Sequence, residues 1–216
     1  MAVKVKVCGV TDPANALAAV EIGADYLGLN FYKGSPRYVS VERAREIAGA
    51  VGGRVPLVGV FVNAPAAAIA ETVERAGLDL VQLSGDEGPE MVGPFAARTI
   101  KAFRTGGLPG GAELAAWSAV WGVLIDAPHR ALYGGTGEEW NYRAVGAADL
   151  AGQLAGQCLF LAGGIGPDNA RRAVEAARPY AIDVCSRVES APGIKDLELL
   201  RRLFQEVRDG ETPNPS

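Results

Sequence analysis

Val3-Lys4-Val5-Lys6-Val7-Cys8-Gly9 begins the regular structure of the chain and sets the pattern that decides its fold. Val alternates with another residue along it, which is the period of a strand. Gly9 breaks the run, and Thr11-Asp12-Pro13 starts a helix, with Pro suited to the first helical position. The same order of apolar strand, polar loop and amphipathic helix recurs to the C-terminus. Strands are expected over 3–8, 24–31, 56–62, 78–83, 99–104, 120–126, 158–162 and 181–185. Helices are expected over 13–22, 41–51, 65–76, 89–96, 111–117, 140–154, 168–177 and 196–207. The strand segments are short and rich in Val and Leu, as strands covered on both faces are. Alternating units of this kind imply a parallel sheet with helices outside it. Eight strands close such a sheet into a barrel. A doubly wound open sheet is the alternative, but the turn after the first strand, Gly9-Val10-Thr11, carries no dinucleotide fingerprint. The expected fold class is α/β, a single (β/α)8 TIM barrel over 1–208. Residues 209–216, polar and with two prolines, read as a frayed tail.

Composition narrows the function. The chain has 216 residues, 49% hydrophobic and 21% charged, with a net charge of −4. Acids and bases are interspersed, which leaves no electrostatic footprint for nucleic acid. The longest apolar runs, 55–62 and 120–125, are far shorter than the roughly 20 residues of a membrane-spanning helix. A strand pattern beginning at residue 3 leaves no room for a leader, and the expected location is the cytoplasm. Three scattered Cys and one His argue against a zinc site and for a reducing compartment.

In a barrel of this class the active site lies at the C-terminal ends of the strands. The residues there include two suited to proton transfer, Cys8 and Asp126. Asp126 ends an otherwise apolar strand, where partial desolvation would favour a proton donor; an Asp capping the next loop is the plainer alternative. Cys8 can act as a base only as thiolate, so a nearby positive charge is required. Lys4, Lys6 and Cys8 share one face of the strand, and Lys6 is the expected partner. Spacing alone leaves open a buried, inert Cys8. Gly163-Gly164-Ile165-Gly166-Pro167-Asp168 follows strand seven and opens a helix, a loop whose N–H groups can approach a phosphate. The loop after strand eight, with Ser186 and Arg187, would complete that cradle; Arg187 either adds charge to it or is a surface residue. Arg37, in Ser35-Pro36-Arg37, suits a planar carboxylate; a solvated surface Arg is the plainer alternative. Gly134-Gly135-Thr136-Gly137 reads as a closing loop, and His129 beside it as a solvated residue.

Taken together, these segments resemble the phosphoribosylanthranilate isomerase family of the tryptophan pathway. The resemblance rests on Lys6-Val7-Cys8-Gly9-Val10-Thr11, Gly28-Leu29-Asn30-Phe31-Tyr32, Ser35-Pro36-Arg37-Tyr38-Val39, Val58-Gly59-Val60-Phe61-Val62-Asn63, Ile100-Lys101-Ala102-Phe103-Arg104, Leu161-Ala162-Gly163-Gly164-Ile165 and Pro192-Gly193-Ile194-Lys195-Asp196. It implies an Amadori rearrangement of N-(5-phosphoribosyl)anthranilate to 1-(2-carboxyphenylamino)-1-deoxyribulose 5-phosphate. Asp126 would be the acid, Cys8 the base and Arg37 the ligand of the anthranilate carboxylate. Gly163, Gly164, Ser186 and Arg187 would hold the phosphate, with Gln82, Ser84 and Asp183 as further contacts. The resemblance implies no cofactor and no metal, a phosphorylated small-molecule substrate, and a monomer or homodimer. The chain departs from the family pattern twice. Ser84 stands where Gln-Leu-His-Gly has His, which widens the pocket. Val184-Cys185-Ser186-Arg187-Val188-Glu189 stands where Val-Ser-Ser-Gly-Val-Glu is favoured, and a left-handed backbone at Arg187 would be strained. A paralogue acting on another aminoaryl ribose phosphate, and a non-catalytic phosphate-binding barrel, are the competing readings. The histidine-pathway isomerase fits less well, since that family has Asp where this chain has Cys8.

Overall fold

The computed structural model describes residues 2–104, 109–126, 150, 154 and 156–209. Eight parallel strands form a closed barrel in sequence order: β1 (Lys4–Cys8), β2 (Tyr26–Asn30), β3 (Leu57–Phe61), β4 (Leu80–Leu83), β5 (Thr99–Arg104), β6 (Gly122–Asp126), β7 (Cys158–Ala162) and β8 (Ala181–Val184). The barrel closes by pairing β8 with β1, Lys6 opposite Asp183 and Val7 opposite Val184. Several strands are one or two residues shorter at an end than their apolar runs, because the flanking residues are already turning. Asp79, for example, directs its carboxylate to the Leu57 N–H at 2.8 Å instead of extending β4.

The outer layer contains α1 (Pro13–Ile22), α2 (Val41–Val51), α3 (Ala66–Ala76), α4 (Gly111–Ala116), α5 (Ala170–Ala177) and α6 (Leu197–Asp209). Local chemistry sets their starts. Asp12 caps α1 by accepting from the Asn15 N–H at 2.8 Å, with Pro13 following as expected. Ser40 does the same for α2 through the Arg43 N–H. Pro65 precedes α3 rather than beginning it.

Two expected helices differ. Residues 89–98 form a 3₁₀ run, since Gly93-Pro94 removes an amide donor and favours no continuous α-ladder. The helix expected from Asp168 begins at Ala170. The Asn169 side chain accepts from the Gly166 N–H at 2.9 Å and donates to the Gly164 carbonyl at 3.0 Å, holding 166–169 in a turn. The helix expected over 140–154 lies almost wholly outside the described residues, as do His129 and Gly134–Gly137. The last helix continues through Asp209, two residues past its expected end, and 210–216 lie outside the described residues.

Strand alternation divides the core in two. Odd residues of β1, Val5 and Val7, face the helices, while Lys6 and Cys8 face the barrel interior. Bulky rings fill the interior at the N-terminal end. Tyr26, Trp121, Phe160 and Tyr180 pack with centroids 5.6–6.2 Å apart, and the two Tyr hydroxyls share a hydrogen bond of 2.7 Å. Toward the C-terminal end the interior residues become small, Ala102 and Ala162 among them. A barrel plugged below by aromatics and lined above by alanines leaves its open space at the C-terminal mouth.

Candidate active site

That space is a cleft of about 320 Å³, lined by Cys8, Arg37, Gln82, Ser84, Asp126, Gly163, Gly164, Asp183, Ser186 and Arg187 together with Asn30 and Cys185. Every residue expected to touch a ligand therefore faces one cavity, although they come from six of the eight βα units. Cys8 ends β1 and Asp126 ends β6, so the two approach the cleft from different sides of the barrel.

Cys8 owes its position to its neighbour strand. It pairs with Gly28, and a Cβ on Gly28 would lie 2.7 Å from the Cys8 sulfur. Only glycine leaves room for the thiol to turn inward there. The thiol is held well below its ordinary pKa. A hydrogen bond from Cys185 contributes most; burial opposes it, and the Lys6 and Lys195 ammonium groups assist. Lys6 is fully buried and bonds Asp183 at 2.8 Å. Burial disfavours its charge, but Asp183 and Cys8 more than offset this, so Lys6 stays cationic. The expectation of a lysine beside the thiolate holds for Lys6. Lys4 lies at the other end of β1 and pairs with Asp25. Asp183 is pushed up to about 7, chiefly by burial; Cys8 and Asp126 add to the effect and Lys6 opposes it. The cleft thus gathers Cys8, Asp126 and Asp183, with the Lys6 ammonium buried beside Cys8 and Asp183.

Arg37 is less free than its sequence context suggests. Its Nε and Nη2 grip Glu189 at 2.9 and 2.6 Å, and Glu189 also accepts from Lys195 Nζ at 2.6 Å and from the Gly193 N–H. Burial raises the Glu189 carboxyl, but Arg37 and Lys195 bring it below its usual range. One edge of the guanidinium is committed to this anchor. The Nη1–Nη2 edge remains, and Nη1 has no partner among the described residues. Ser35 shapes the loop, accepting from the Arg37 N–H and from Asn30 Nδ2.

The loop after β7 has the expected backbone. Gly163 and Gly164 both adopt positive φ, 98° and 62°, which presents successive amides to one side. Arg187 does not have the left-handed backbone considered for it. It lies in a 3₁₀ turn, and the only non-glycine residues of positive φ among those described are Asn63 and Arg178. No left-handed strain accompanies the replacement of glycine. The Arg187 guanidinium pairs with Asp168 at 2.8 Å, and both side chains are exposed. Arg187 is thus a rim residue tied to the loop after β7.

Ser84 is buried and accepts from Gln82 Nε2 at 2.9 Å, while Gln82 Oε1 is buried without a partner among the described residues. Behind Ser84 lies a second cavity reaching Glu87 and Lys101. These two form a buried pair at 2.9 Å; Glu87 also accepts from the Asn63 and Gly85 N–H groups, and Lys101 sits 4.9 Å from the Trp117 ring. Sequence reading missed this pair, as it missed Glu189, Lys195 and Asn30. What marks Lys101 is a charge on the helix-facing side of β5, between the inward Ile100 and Ala102. Nothing local marks Glu189 or Lys195, which matter only where β9 (Glu189–Ala191) and β10 (Ile194–Lys195) fold back over the barrel mouth.

Comparison with known proteins bears on this geometry. The family described as N-(5'phosphoribosyl)anthranilate (PRA) isomerase matches residues 5–206. The chain belongs to that family. A PRA isomerase from Citrifermentans bemidjiense is 44% identical over 205 residues, covering 95% of this chain and 97% of the relative. The crystal structure of the PRA isomerase from Thermotoga maritima superposes with a TM-score of 0.82 at 34% identity, covering 96% of this chain and 99% of that one. A PRA isomerase structure in complex with reduced 1-(o-carboxyphenylamino)-1-deoxyribulose 5-phosphate superposes at 0.80 with 32% identity, over 96% and 99%. Among the described residues no helix is long and apolar enough to cross a membrane.

Proposed function

We propose that the chain is an isomerase of tryptophan biosynthesis that converts N-(5'-phosphoribosyl)anthranilate to 1-(2-carboxyphenylamino)-1-deoxyribulose 5-phosphate. The observation that carries this is the pair Cys8 and Asp126 facing one cleft from different sides, with the Gly163-Gly164 turn between them in the chain order of the rim. Asp126 protonates the ribose ring oxygen, and the ring opens to a Schiff base. The Cys8 thiolate then takes the C2 proton, and the electron pair moves into an enolamine. That enolamine tautomerises to the ketone. The electrons stay within the substrate, so an acid and a base suffice.

The rest of the site orients the substrate. The Gly163-Gly164 amides and Ser186 receive the phosphate, and the open edge of Arg37 takes the carboxylate with two parallel hydrogen bonds. Lys6 keeps Cys8 ionised between turnovers. The three free cysteines accord with a cytoplasmic setting.

The test uses phosphoribosylanthranilate generated in situ and follows the loss of its fluorescence. The folded protein is expected to consume it, and Cys8→Ser and Asp126→Asn each to lower kcat by about 10²–10⁴-fold. A folded protein without activity refutes the function. Activity that survives either substitution refutes that residue's role.

A further inference from the structure

Cys185 has no part in the proton transfers above, yet it stands beside the group that does. Val7 and Val184 are opposite each other in the parallel pairing of β1 with β8. The next residue in each case is a cysteine: Cys8 ends β1, and Cys185 directly follows β8. Cys8 and Cys185 therefore leave neighbouring strands side by side, and both line the cleft. Cys185 is also the largest influence holding the Cys8 thiol below its ordinary pKa. A Cβ on Gly9 would lie 3.1 Å from the Cys185 sulfur, which fixes that sulfur at the exit of β1. Both cysteines are unpaired and partly exposed. Lys195 Nζ lies 4.0 Å from the Cys185 sulfur, and Lys6 acts on Cys8 from below. A dithiol flanked by two buried ammonium groups and open to a cleft is a reactive arrangement. Cys158, by contrast, sits at the far end of β7 and has its thiol raised by burial.

We propose that Cys8 and Cys185 form a reversible thiol-oxidation site, in which a peroxide converts the pair to a disulfide and thereby removes the base from the cleft. Adjacent strands lie roughly 4.7–4.9 Å apart, inside the span of about 4.4–6.8 Å that a disulfide bridges between Cα atoms. The Cys8 thiolate attacks hydrogen peroxide; an S–O bond forms, the O–O bond breaks, and hydroxide leaves. The sulfur is oxidised to sulfenic acid and the peroxide is reduced. Cys185 then attacks the Cys8 sulfur. The S–S bond forms, the S–O bond breaks, the Cys185 proton goes to the departing hydroxide, and water is released. A dithiol reductant reverses the step by exchange and is itself oxidised to a disulfide. Because the strand backbones cannot adjust freely, the bond is one that small thiols reduce readily. The loss of activity rests on the function proposed above; formation of the disulfide does not.

The experiment treats the full-length enzyme with hydrogen peroxide, alkylates remaining thiols, and analyses it by intact mass and non-reducing peptide mapping alongside activity. The expected product has lost the mass of two hydrogens, joins the Cys8 and Cys185 peptides and leaves Cys158 alkylated. Activity falls by about 10²-fold or more and returns with dithiothreitol. In Cys185→Ser, read against its own reduced state, no cross-link forms. Cys8 instead gains two oxygens and activity does not return. Uptake of oxygen at Cys8 of the wild type without a cross-link, or a cross-link to Cys158, overturns the site. A Cys8–Cys185 cross-link with activity retained overturns the switch, and Cys8 as base with it, while leaving the disulfide standing.

Discussion

Lys6→Met removes the buried cation that pairs with Asp183 while keeping nearly the same side-chain volume. At the 2.8 Å separation of Lys6 and Asp183, an effective dielectric of about 20 gives an attraction of about 6 kcal/mol. Desolvation cancels part of this, and losing one member of such a pair costs about 3–5 kcal/mol when the other stays charged. Asp183 can avoid that cost by taking up a proton. Its folded pKa is about 7, above the ordinary 3.8. The native state therefore binds more protons than the unfolded chain between those values, and stability falls as pH rises through that window. Without Lys6 the opposing influence on Asp183 is gone, its pKa rises further, and the window extends to higher pH. The deficit of Lys6→Met is then small near pH ~5.5 and grows by about 1.4 kcal/mol per pH unit above ~7, up to about 3–5 kcal/mol. Urea unfolding of both proteins across this pH range measures it. A deficit equal at low and high pH would mean that Lys6 contributes only packing, and the electrostatic account of the cleft would fail.

The remaining expectations concern the thiol and the substrate. Alkylation of Cys8 by iodoacetamide, followed peptide by peptide, should show an inflection well below that of an ordinary thiol, and Cys158 one above it; a shared inflection contradicts the Cys185, Lys6 and Lys195 contributions. Gly28→Ala puts a Cβ 2.7 Å from the Cys8 sulfur and should lower kcat by about 10²-fold with little change in far-UV dichroism. An unchanged kcat would show that the thiol has another productive position. Arg37→Lys loses both the grip on Glu189 and the open edge, so KM should rise by about 10–100-fold with a smaller effect on kcat. An unaffected KM would remove Arg37 from the carboxylate subsite.

Much of this site was legible along the chain because a (β/α)8 barrel maps strand ends onto one rim. Once the strands were counted, Cys8, Asp126, Gly163 and Gly164 had to meet. Their distances apart in sequence carried no information against it. Lys6 could be read as well, since period-two alternation puts it on the face of Cys8. The strain expected at Arg187 could not be judged, because a residue's type does not reveal its backbone angle; a 3₁₀ turn accommodates Arg where a left-handed turn would not. Nor could Asn169 be seen to delay α5, since that depends on its side chain reaching back to Gly164 and Gly166.

Sequence alone determined the barrel, its rim and the placement of Cys8 and Asp126 on that rim, because strand period and unit count are local properties repeated eight times. Tertiary structure alone decided the state of those groups. Lys6 meets Asp183 only because β8 closes on β1, and Arg37 meets Glu189 and Lys195 only because β9 and β10 fold over the mouth. Ionisation depends on burial and on charges brought from 152 or 177 residues away, and no local pattern encodes those encounters. Closure of the barrel also sets Cys185 beside Cys8, turning the single thiol that ends Val3-Lys4-Val5-Lys6-Val7-Cys8 into half of a pair.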